Sequence, residues 1–592
     1  MVKPVLFTLG ASALPLATKL KERLGAEIHT PDCVAGGDVT YRKATSHLGQ
    51  LFVEGRTIIG LCAAGILVRA IAPHIRDKHN EPPVIAVAED GSTAVPLLGG
   101  HHGANDLARR IGEICGGHAA VTTASEVRFG FALDEPAAGF VLANPQDMKS
   151  ATTTLLNGAQ LSLDGTLNPF PAAHFTTGAG GVTLTVTERQ VSGSKNKLVY
   201  HPRTLVMGVG CERNTQPAEL IALAEKVLSE SHLSSASLAA IASIDIKSDE
   251  AALHAVAKHF GVPARFFAVG ELVKETPRLK NPSDLVAKEV GVAGVAEAAA
   301  LAGAGALSEL IVEKTRSARG TCAVAMAPEP ILELAGQPRG IVHVVGIGPG
   351  TPEWRAPAAR AALEAATEWV GYDLYLDLVA DVKSDQAEHR FPLGGEEDRV
   401  RHAIELAKQG KEVALVCSGD AGIYAMAALV YEVLDLEPAR VAVNVIPGVS
   451  AFQAAAAKAG AMIGHDFCCI SLSDLLTPWE AIEKRVKAAA EGDFVISFYN
   501  PRSLKRRDQL ERAFALLKQH RPTDTPVVIA SNLGRPEEKV KIVRFADFNP
   551  DDVDMLTLVM VGSSQSKSFT RGDGKTYAYT PRGYAKKREA TE

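Results

Sequence analysis

Short apolar runs alternate with amphipathic helical patterns along most of the chain. In the C-terminal part the runs are rich in β-branched residues and are spaced like strands joined by helices. We predict strands there at IVHVVGIG, EVALVCSG, RVAVNVIPG, FCCISLS, DFVISFY, PVVIAS and TLVMVG. Such alternation is typical of α/β domains, whose helices cover a mostly parallel sheet. The pattern therefore predicts an α/β protein of several domains.

The same pattern, with its Pro- and Gly-rich interruptions, divides the chain into regions. Two α/β regions precede the C-terminal one, and between them lies a segment rich in Thr, Gly, Ser and Asn with one strand candidate, GVTLTVTER. We predict four domains, at residues 1–134, 135–200 (connecting), 201–328 and 340–592. The segment APEPILELAGQPRG is predicted to be a linker, and the polar, basic end from TRGDGKTYAYTPRGYAKK onward a mobile tail.

Composition argues against several classes of partner. The formal net charge of −6 gives no overall basic excess, so we expect no nucleic-acid partner. No stretch reaches the roughly 18 uninterrupted apolar residues of a membrane span, so we expect no membrane partner. The eight cysteines are scattered without a CxxC pair, which predicts reduced thiols in a cytoplasmic protein and no metal site.

Glycine-rich turns follow several of the predicted strands. In GIGPGTPEW, Gly346, Gly348 and Gly350 permit a loop whose backbone approaches a ligand. The loop is not a P-loop, because no Gly-Lys-Ser/Thr follows. It is also a poor dinucleotide fingerprint, because Thr351 stands where GxGxxG requires glycine and Pro349 lacks an N–H for a pyrophosphate. A nicotinamide oxidoreductase is therefore disfavoured, while a plain structural turn remains open.

Four further turns lie at the carboxyl ends of predicted strands, where open α/β sheets bind ligands. They read SGDAGIY, PGVSAFQAAA, FYNPRS and SNLGRPEE. Their small side chains allow backbone groups to meet a ligand. Asp420 could accept hydrogen bonds from a ribose or an amine, or it could cap the next helix. From the residues of such a turn alone, a phosphate, a dinucleotide and a methyl donor all remain candidates.

In this order, GIGPG, SGDAGIY, PGVSAFQ, SFYNPRS, SNLGRPEE and TLVMVGSS resemble the S-adenosylmethionine-dependent tetrapyrrole methylases of cobalamin biosynthesis, most closely the precorrin-3B C(17)-methyltransferases. The resemblance covers residues 340–585. It implies two α/β lobes with S-adenosylmethionine between them, a tetrapyrrole in a trough above, and a homodimer formed through this domain. The implied cofactor-binding residues are Pro349, Ser418, Gly419, Asp420, Ile423, Ser450, Ala451, Tyr499, Asn500, Asn532 and Gly534. The sequence departs from the family at Ala421, where the family usually has proline after Ser-Gly-Asp.

The implied reaction is methylation of precorrin-3B, or of the cobalt-containing cobalt-factor III, at C-17 with ring contraction to precorrin-4. Methyl transfer from a sulfonium requires proximity and alignment rather than a nucleophilic triad. Arg502 and Arg535 are suitable partners for the carboxylates of the substrate, although the run RSLKRRDQ also fits a solvated helix face. His465 and Asp466 are candidates for the proton transfers of ring contraction. The sequence does not decide whether the substrate carries cobalt.

In the N-terminal half, AGILVRAIAPHIRDK, DGSTAVPLLGGHHGAND and GVGCERNT resemble the cobalt-precorrin-5A hydrolases, over residues 1–328. That family opens a ring-fused δ-lactone and releases acetaldehyde in the same pathway. Hydrolysis requires an activated water and a stabilised oxyanion. The residues of this half whose chemistry would suit these roles are His101, His102, Glu126, His74 and Asp90.

The GVGCERNT motif has a structural and a functional interpretation. Gly208 and Gly210 are expected to free a loop, and Thr215 to cap the helix that begins near Pro217. Because a helix N-terminus attracts anions, Arg213 beside it is a candidate for binding a tetrapyrrole carboxylate. We therefore predict a bifunctional methyltransferase and lactone hydrolase. The alternative is a methyltransferase whose N-terminal half only binds or hands over a corrinoid intermediate.

Overall fold

The structure, a computed structural model, describes residues 3–76, 81–122, 128–176, 181–503 and 507–584. Within these ranges the strands form six sheets, which follow one another in four regions along the chain. None of the helices in these ranges combines the length and the apolar surface that crossing a bilayer requires. The α/β class predicted from the alternating pattern is confirmed.

The first region is a seven-stranded sheet with helices on both faces. Its elements are β1 (Val5–Thr8), α1 (Leu14–Leu24), β2 (Glu27–Pro31), β3 (Val39–Tyr41), α2 (Ala44–Val53), β4 (Ile58–Leu61), α3 (Ala64–Ile71), β5 (Val84–Val87), β6 (Thr93–Leu98), α4 (Ala104–Cys115) and β7 (His118–Ala119). The strand order is β3-β2-β1-β4-β5-β6-β7, and only β5 and β6 pair antiparallel. The central strands are buried along their whole length because apolar clusters pack on both faces.

The second region is a small four-stranded sheet in the segment expected to connect two domains. Its elements are β8 (Phe140–Leu142), α5 (Pro145–Leu156), β9 (Gln160–Asp164), β10 (Gly181–Val186) and β11 (Lys197–Pro202). The strand order is β8-β11-β10-β9. The sequence indicated only β10, because β8 is short and because β9 and β11 lie among turn-forming residues.

The third region is built on a five-stranded sheet. Its elements are β12 (Leu205–Cys211), α6 (Pro217–Glu230), β13 (Leu238–Ile244), α7 (Ala251–Phe260), β14 (Ala264–Phe267), α8 (Val269–Val273), α9 (Asp284–Val290), α10 (Val295–Ala304), β15 (Glu309–Arg316) and β16 (Gly320–Met326). The strand order is β14-β13-β12-β16-β15. Gly208 and Gly210 lie inside β12, so the prediction that they free a loop is wrong. A Cβ on Gly208 would lie 1.9 Å from the carbonyl oxygen of Ala296, so glycine lets α10 pack directly on the strand.

The fourth region has two lobes, each built on a five-stranded sheet. The first lobe contains β17 (Ile341–Gly346), α11 (Pro357–Ala365), β18 (Glu368–Tyr372), α12 (Asp373–Asp377), β19 (Ala387–Phe391), α13 (Glu396–Lys408), β20 (Glu412–Cys417), α14 (Met426–Leu436) and β21 (Ala442–Ile446). Its sheet is entirely parallel, in the order β19-β18-β20-β17-β21. The carboxyl ends of all five strands therefore lie along one edge.

The second lobe follows directly. It contains α15 (Ala451–Ala459), β22 (Gly460–Ala461), β23 (Phe467–Ser471), α16 (Trp479–Glu491), β24 (Val495–Tyr499), α17 (Gln509–Leu517), β25 (Pro526–Ser531), β26 (Lys539–Arg544), β27 (Thr557–Val561), β28 (Lys567–Thr570) and β29 (Thr576–Tyr579). Its main sheet has the order β23-β24-β27-β25-β26. The seven strands predicted for the C-terminal part are all confirmed, and β18, β19, β22, β26, β28 and β29 are additions.

Two expectations about irregular segments need correction. The expected mobile tail is wrong as far as Tyr579, because β28 and β29 form a hairpin, β29 pairs with β22, and Ala578 is fully buried. The expected linker is irregular but held in place: Gln337 and Phe266 exchange two backbone hydrogen bonds of 2.8 Å, and the N–H of Ile331 donates to the carbonyl of Arg203. The linker therefore lies against the third region rather than spanning free space.

Candidate active site between the two C-terminal lobes

Three glycines bring the first-lobe loops into direct backbone contact. Gly346 ends β17, Gly419 follows β20 and Gly448 follows β21. A Cβ on Gly448 would lie 2.2 Å from the carbonyl oxygen of Gly419 and 2.6 Å from that of Gly346. Gly419 also exchanges two backbone hydrogen bonds, of 2.8 and 3.1 Å, with Gly348. Only residues without side chains allow these loops to converge.

Asp420 connects two of these loops through its carboxylate. Oδ1 accepts from the N–H of Gly422 at 2.8 Å, and Oδ2 accepts from the N–H of Gly448 at 3.1 Å. The alternative that Asp420 caps the next helix is wrong, because α14 begins at Met426 with Ala425 at its N-cap. Each carboxylate oxygen has lone pairs left, so Asp420 can still accept a hydrogen bond from a ligand hydroxyl.

Tyr499, at the end of β24 in the second lobe, reaches the N-terminus of α15. Its hydroxyl lies 2.5 Å from the Oγ of Ser450 and accepts a hydrogen bond of 3.2 Å from the N–H of Phe452. The side chain of Gln453 accepts from the N–H of Ser450 at 3.0 Å. Burial raises the pKa of Tyr499 to about 12, so the phenol stays protonated at neutral pH. Tyr499 therefore positions the backbone of Ser450 and Ala451.

The loop after β25 crosses from the second lobe to the first. A Cβ on Gly350 would lie 2.2 Å from the carbonyl oxygen of Gly534, so the two loops touch. Arg535 donates through Nε to the carbonyl of Pro349 at 3.3 Å and through Nη2 to the Oγ of Ser418 at 2.9 Å. Asn532 closes this turn, since its carbonyl accepts from the N–H of Arg535. Pro349, Ser418 and Gly534 are thereby brought together.

The other residues carried over by motif surround this point. Ile423 and Ala451 pack with the Tyr499 ring against one apolar cluster. Asn500 is exposed, and its Nδ2 donates to the Oγ of Ser471 at 3.1 Å. Tyr424, Asn500 and Asn532 have φ of about 50°, a conformation that residues other than glycine rarely adopt. Such conformations cluster at ligand sites, where the surrounding structure maintains them.

Two cavities border these loops. One, of about 230 Å³, is lined by Pro349 and Gly534 together with Thr351, Trp354 and four further residues. The other, of about 560 Å³, lies on the far side of Trp354. The remaining residues carried over by motif line neither of these two cavities. They hold the loops together, and Pro349 and Gly534 face open space.

Three further candidates of the C-terminal half lie elsewhere or are already engaged. Arg502 forms an ion pair of 2.8 Å with Asp551 and donates to the carbonyl of Pro550. His465 and Asp466 are exposed and precede β23, whereas Tyr499 ends the neighbouring parallel strand. A five-residue strand is about 17 Å long, so the structure does not bring His465 and Asp466 to the loops.

The residues of GVGCERNT that were candidates for binding an anion are also already engaged. Thr215 donates its hydroxyl to the carbonyl of Glu212 at 2.9 Å and does not cap α6, whose N-cap is Gln216. Arg213 forms ion pairs with Asp249 at 2.6 Å and Glu250 at 3.5 Å. It would have to leave both carboxylates to bind one from a substrate.

The hydrolytic candidates of the N-terminal half are not brought together. Glu126 and the side chain of His101 lie outside the described residues. His102 is exposed and follows β6, whose end pairs with the start of β5. This is the edge opposite the carboxyl ends of the parallel strands. Asp90 lies in a turn, where it accepts from the N–H of Ser92, and His74 packs against α2 at Gly49.

The structure shows instead a histidine pair that sequence reasoning missed. Nδ1 of His29, on β2, lies 2.8 Å from Nε2 of His47, in the first turn of α2. The other ring nitrogen of His29 is 3.7 Å from the carboxylate of Glu27, which accepts a 2.9 Å hydrogen bond from Arg56. His29 is 3% exposed, while His47 is half-buried and stacks on Tyr41. No spacing signals this pair, because it forms only when α2 packs on β2.

Comparisons with known proteins agree with this arrangement. Residues 342–549 match the family described as Tetrapyrrole (Corrin/Porphyrin) Methylases. Residues 205–325 match the Cobalamin synthesis G C-terminus, and residues 46–126 the Cobalamin synthesis G N-terminal family.

Among the relatives, the chain is 46% identical over 244 residues to the "Probable cobalt-factor III C(17)-methyltransferase" of Salmonella typhimurium, covering 41% of this chain and 99% of the relative. It is 41% identical over 249 residues to the precorrin-3B C(17)-methyltransferase of Sinorhizobium sp, covering 42% and 98%. It is 44% identical over 256 residues to the cobalamin biosynthesis protein CobIJ of Mycobacterium tuberculosis, covering 43% of this chain and only 50% of the relative. The chain therefore belongs to the tetrapyrrole (corrin/porphyrin) methylase family, in a fusion with the N-terminal and C-terminal regions of the cobalamin synthesis G family.

Proposed function

We propose that the C-terminal half transfers a methyl group from S-adenosylmethionine to C-17 of a tetrapyrrole, precorrin-3B or cobalt-factor III, with contraction of the ring. The observation that carries this proposal is the convergence of five loops, after β17, β20, β21, β24 and β25, from both lobes. The names of relatives that align along almost their whole length support the choice of C-17.

The residues present fit a sulfonium nucleoside. The Cβ position of Gly419 has only the backbone of Ser450 and Ala451 near it, at 3.9 Å, so a ligand can approach the backbone there closely. Asp420 has acceptor capacity for ribose hydroxyls, and Ile423 and Ala451 supply an apolar contact. S-adenosylmethionine supplies a methyl group that is already strongly electrophilic. The chain therefore needs to hold two reactants in line and exclude water, and rigidly connected loops are suited to that task.

Isothermal titration of the whole chain with S-adenosylhomocysteine tests this proposal. We expect saturable one-site binding and no heat with NAD under the same conditions. The matched variant is Gly419→Val, whose side chain would enter the space beside Ser450 and Ala451, and we expect it to abolish binding. Gly574→Val, in an exposed turn with open space around the Cβ position, is the control. Tight NAD binding without binding of the nucleoside would disprove the assignment.

We also propose that the chain works in the cytoplasm as a homodimer through its C-terminal half. The eight cysteines are free thiols, which a reducing compartment maintains. Helix α14 exposes Tyr431 by 54% and Leu436 by 74%, and exposed apolar patches mark interfaces. Sedimentation equilibrium tests the oligomeric state, and Leu436→Glu should shift a dimer towards monomer.

For the N-terminal half we propose hydrolysis of a ring-fused lactone, with His47 as the general base. Tyr41, on which His47 stacks, ends β3 at the carboxyl edge of the sheet, where parallel sheets bind ligands. Burial lowers the pKa of His47, so its imidazole is neutral and able to accept a proton at pH 7. The contact of 2.8 Å between Nε2 of His47 and Nδ1 of His29 fixes the orientation of the His47 ring and leaves Nδ1 of His47 for the proton.

In this step a water molecule gives a proton to Nδ1 of His47, the nitrogen that His29 does not use. The hydroxide adds to the lactone carbonyl, the ring C–O bond breaks, and the released alkoxide takes the proton back. A half-buried imidazole that is held by a second imidazole resembles a general base more than a binding surface. This feature favours a hydrolase over a non-catalytic binding module.

Acetaldehyde release from cobalt-precorrin-5A by the whole chain measures this activity. We expect His47→Gln to lower the turnover number by at least about a hundredfold without changing S-adenosylhomocysteine binding. His118→Gln, an exposed histidine of β7 in the same sheet, is the control. Full activity of His47→Gln would show that His47 is not the general base. No acetaldehyde even from the wild-type chain would favour the binding-module alternative.

A further inference from the structure

Arg399 is a buried cation for which the described part of the chain supplies no counter-ion. It lies in the first turn of α13 and is only 2% exposed. Its Nη2 donates to the carbonyl of Pro392 at 3.2 Å, but its buried Nε has no hydrogen-bond partner. No carboxylate within the described ranges forms an ion pair with it. A buried guanidinium without an anion is costly for the fold, and such a group usually indicates a ligand that supplies one.

Arg535 is a second cation for which the described residues supply no carboxylate partner. It is partly buried between the lobes, and its partners are the neutral oxygens of Pro349 and Ser418. Burial lowers the pKa of Arg535, while nearby Tyr375 and Tyr372 oppose that shift. As for Arg399, no ion pair with a carboxylate is found in the part of the chain that the structure describes.

The two arginines lie along one edge of the first-lobe sheet. Pro392, which Arg399 contacts, follows β19, and Ser418, which Arg535 contacts, follows β20. Strand β18 lies between them and ends at Tyr372, so the contacts are two strand spacings apart, roughly 10 Å. Arginine side chains are long, so the two guanidinium groups can lie much closer together than their contacts on the strand ends. Consistent with this placement, both guanidinium charges act to lower the pKa of Tyr375, which burial raises.

We propose that Arg399, Arg535 and Tyr375 form a carboxylate-binding site at the carboxyl edge of the first-lobe sheet. Two positive charges and a phenol match an anionic, planar group that accepts several hydrogen bonds. No hydrogen bond of the Tyr375 hydroxyl is found among the described residues, so it remains available as a donor. The inference rests on the proposed function, since it assigns part of the same ligand-binding cleft. The carboxylate belongs either to the methionine part of the methyl donor or to a side chain of the tetrapyrrole.

Binding measurements distinguish these two sources. Arg399→Gln and Arg535→Gln are titrated with S-adenosylhomocysteine and with its decarboxylated counterpart, which lacks only the carboxylate. Methyl-transfer rates with the tetrapyrrole give its KM. Arg401→Gln is the matched control, because Arg401 lies on the same helix but is only partly buried and is paired with Glu397 and Glu437.

If the site holds the carboxylate of the donor, the two variants bind S-adenosylhomocysteine at least tenfold more weakly and bind the decarboxylated compound like wild type. If it holds a tetrapyrrole carboxylate, both nucleosides bind normally and the KM of the tetrapyrrole rises at least tenfold. Variants that match Arg401→Gln in all three measurements would overturn the inference. A wild-type chain that binds no S-adenosylhomocysteine would instead disprove the proposed function.

Thermal unfolding separates a binding role from a structural one. Arg399→Met removes an unpaired cation, so we expect the melting temperature of the ligand-free chain to stay unchanged or rise. Arg355→Met is the contrast, because Arg355 is also buried but forms a two-fold contact with Asp381, at 2.9 and 3.0 Å. Its loss should lower the melting temperature by several degrees. An equal fall in both variants would show that Arg399 is a structural residue and would overturn the inference.

Discussion

The hydroxyl of Tyr499 is a single atom that connects the end of β24 to the start of α15, next to the loop after β21. Tyr499→Phe removes that oxygen and leaves the ring in place. The N–H of Phe452 then loses its acceptor, and the hydroxyl of Ser450 loses its partner at 2.5 Å. Phe452 lies in the first turn of α15, where backbone N–H groups have no partner within the helix. The variant therefore tests whether this contact between β24 and the start of α15 stabilises the site.

The expected loss is about 2 kcal/mol. Loss of a helix N-capping acceptor costs about 1 kcal/mol, and loss of a buried neutral hydrogen bond costs about 1 kcal/mol more. For a unit of this size, each 1 kcal/mol lowers the melting temperature by about 2–4 °C, so we expect a fall of about 4–8 °C. Because the ring remains, affinity for S-adenosylhomocysteine should fall by less than about tenfold, which corresponds to 1.4 kcal/mol.

Calorimetric scanning of the whole chain, followed by titration with S-adenosylhomocysteine, measures both quantities. Tyr584→Phe is the control, since Tyr584 is 71% exposed and should change stability by less than about 0.5 kcal/mol. The reasoning is refuted if Tyr499→Phe and Tyr584→Phe melt at the same temperature. A fall in affinity of a hundredfold or more would show that the hydroxyl contacts the ligand itself.

Two further predictions concern the first-lobe loops and the N-terminal region. Gly448→Ala places a Cβ 2.2 Å from the carbonyl oxygen of Gly419, which cannot move aside as a flexible side chain would. We therefore expect the free energy of unfolding in urea to fall by about 3 kcal/mol and S-adenosylhomocysteine not to bind. Wild-type stability of this variant would contradict the contact. The neighbouring His29 and Arg56 lower the pKa of Glu27 to about 2 from its usual 4.5, so its contribution to stability is complete above pH 4.5 and is lost as the pH falls towards 2. Unfolding of Arg56→Met should depend less on pH in that window, and an unchanged pH dependence would contradict this cause.

Sequence patterns were sufficient to predict where most central strands and the loops of the C-terminal half lie. Strands such as β17 and β24 are continuous apolar runs because both faces are covered, and periodicity reveals such runs directly. Short edge strands such as β19 and β26 escaped, because half-exposed residues on an edge carry a weak pattern. The tail hairpin was missed for the same reason, since only Ala578 of its second strand is fully buried.

What each residue does depended on partners that are distant in sequence. Asp420 lies 28 residues from Gly448, and Arg535 lies 117 residues from Ser418, so no local rule predicts either contact. The glycines were predicted to approach a ligand, yet in the structure they first allow backbones to approach one another.

Motif order therefore determined the fold class and the position of the loops that we propose to bind the ligand, because strand ends and turns are set by local residue type. Tertiary packing alone decided which charges are neutralised and which remain available. Arg213 and Arg502 meet carboxylates, whereas Arg399 and Arg535 meet none among the residues that the structure describes. The physical reason is that the electrostatic state of a side chain depends on burial and on neighbours within a few ångströms, which the folded chain gathers from distant positions.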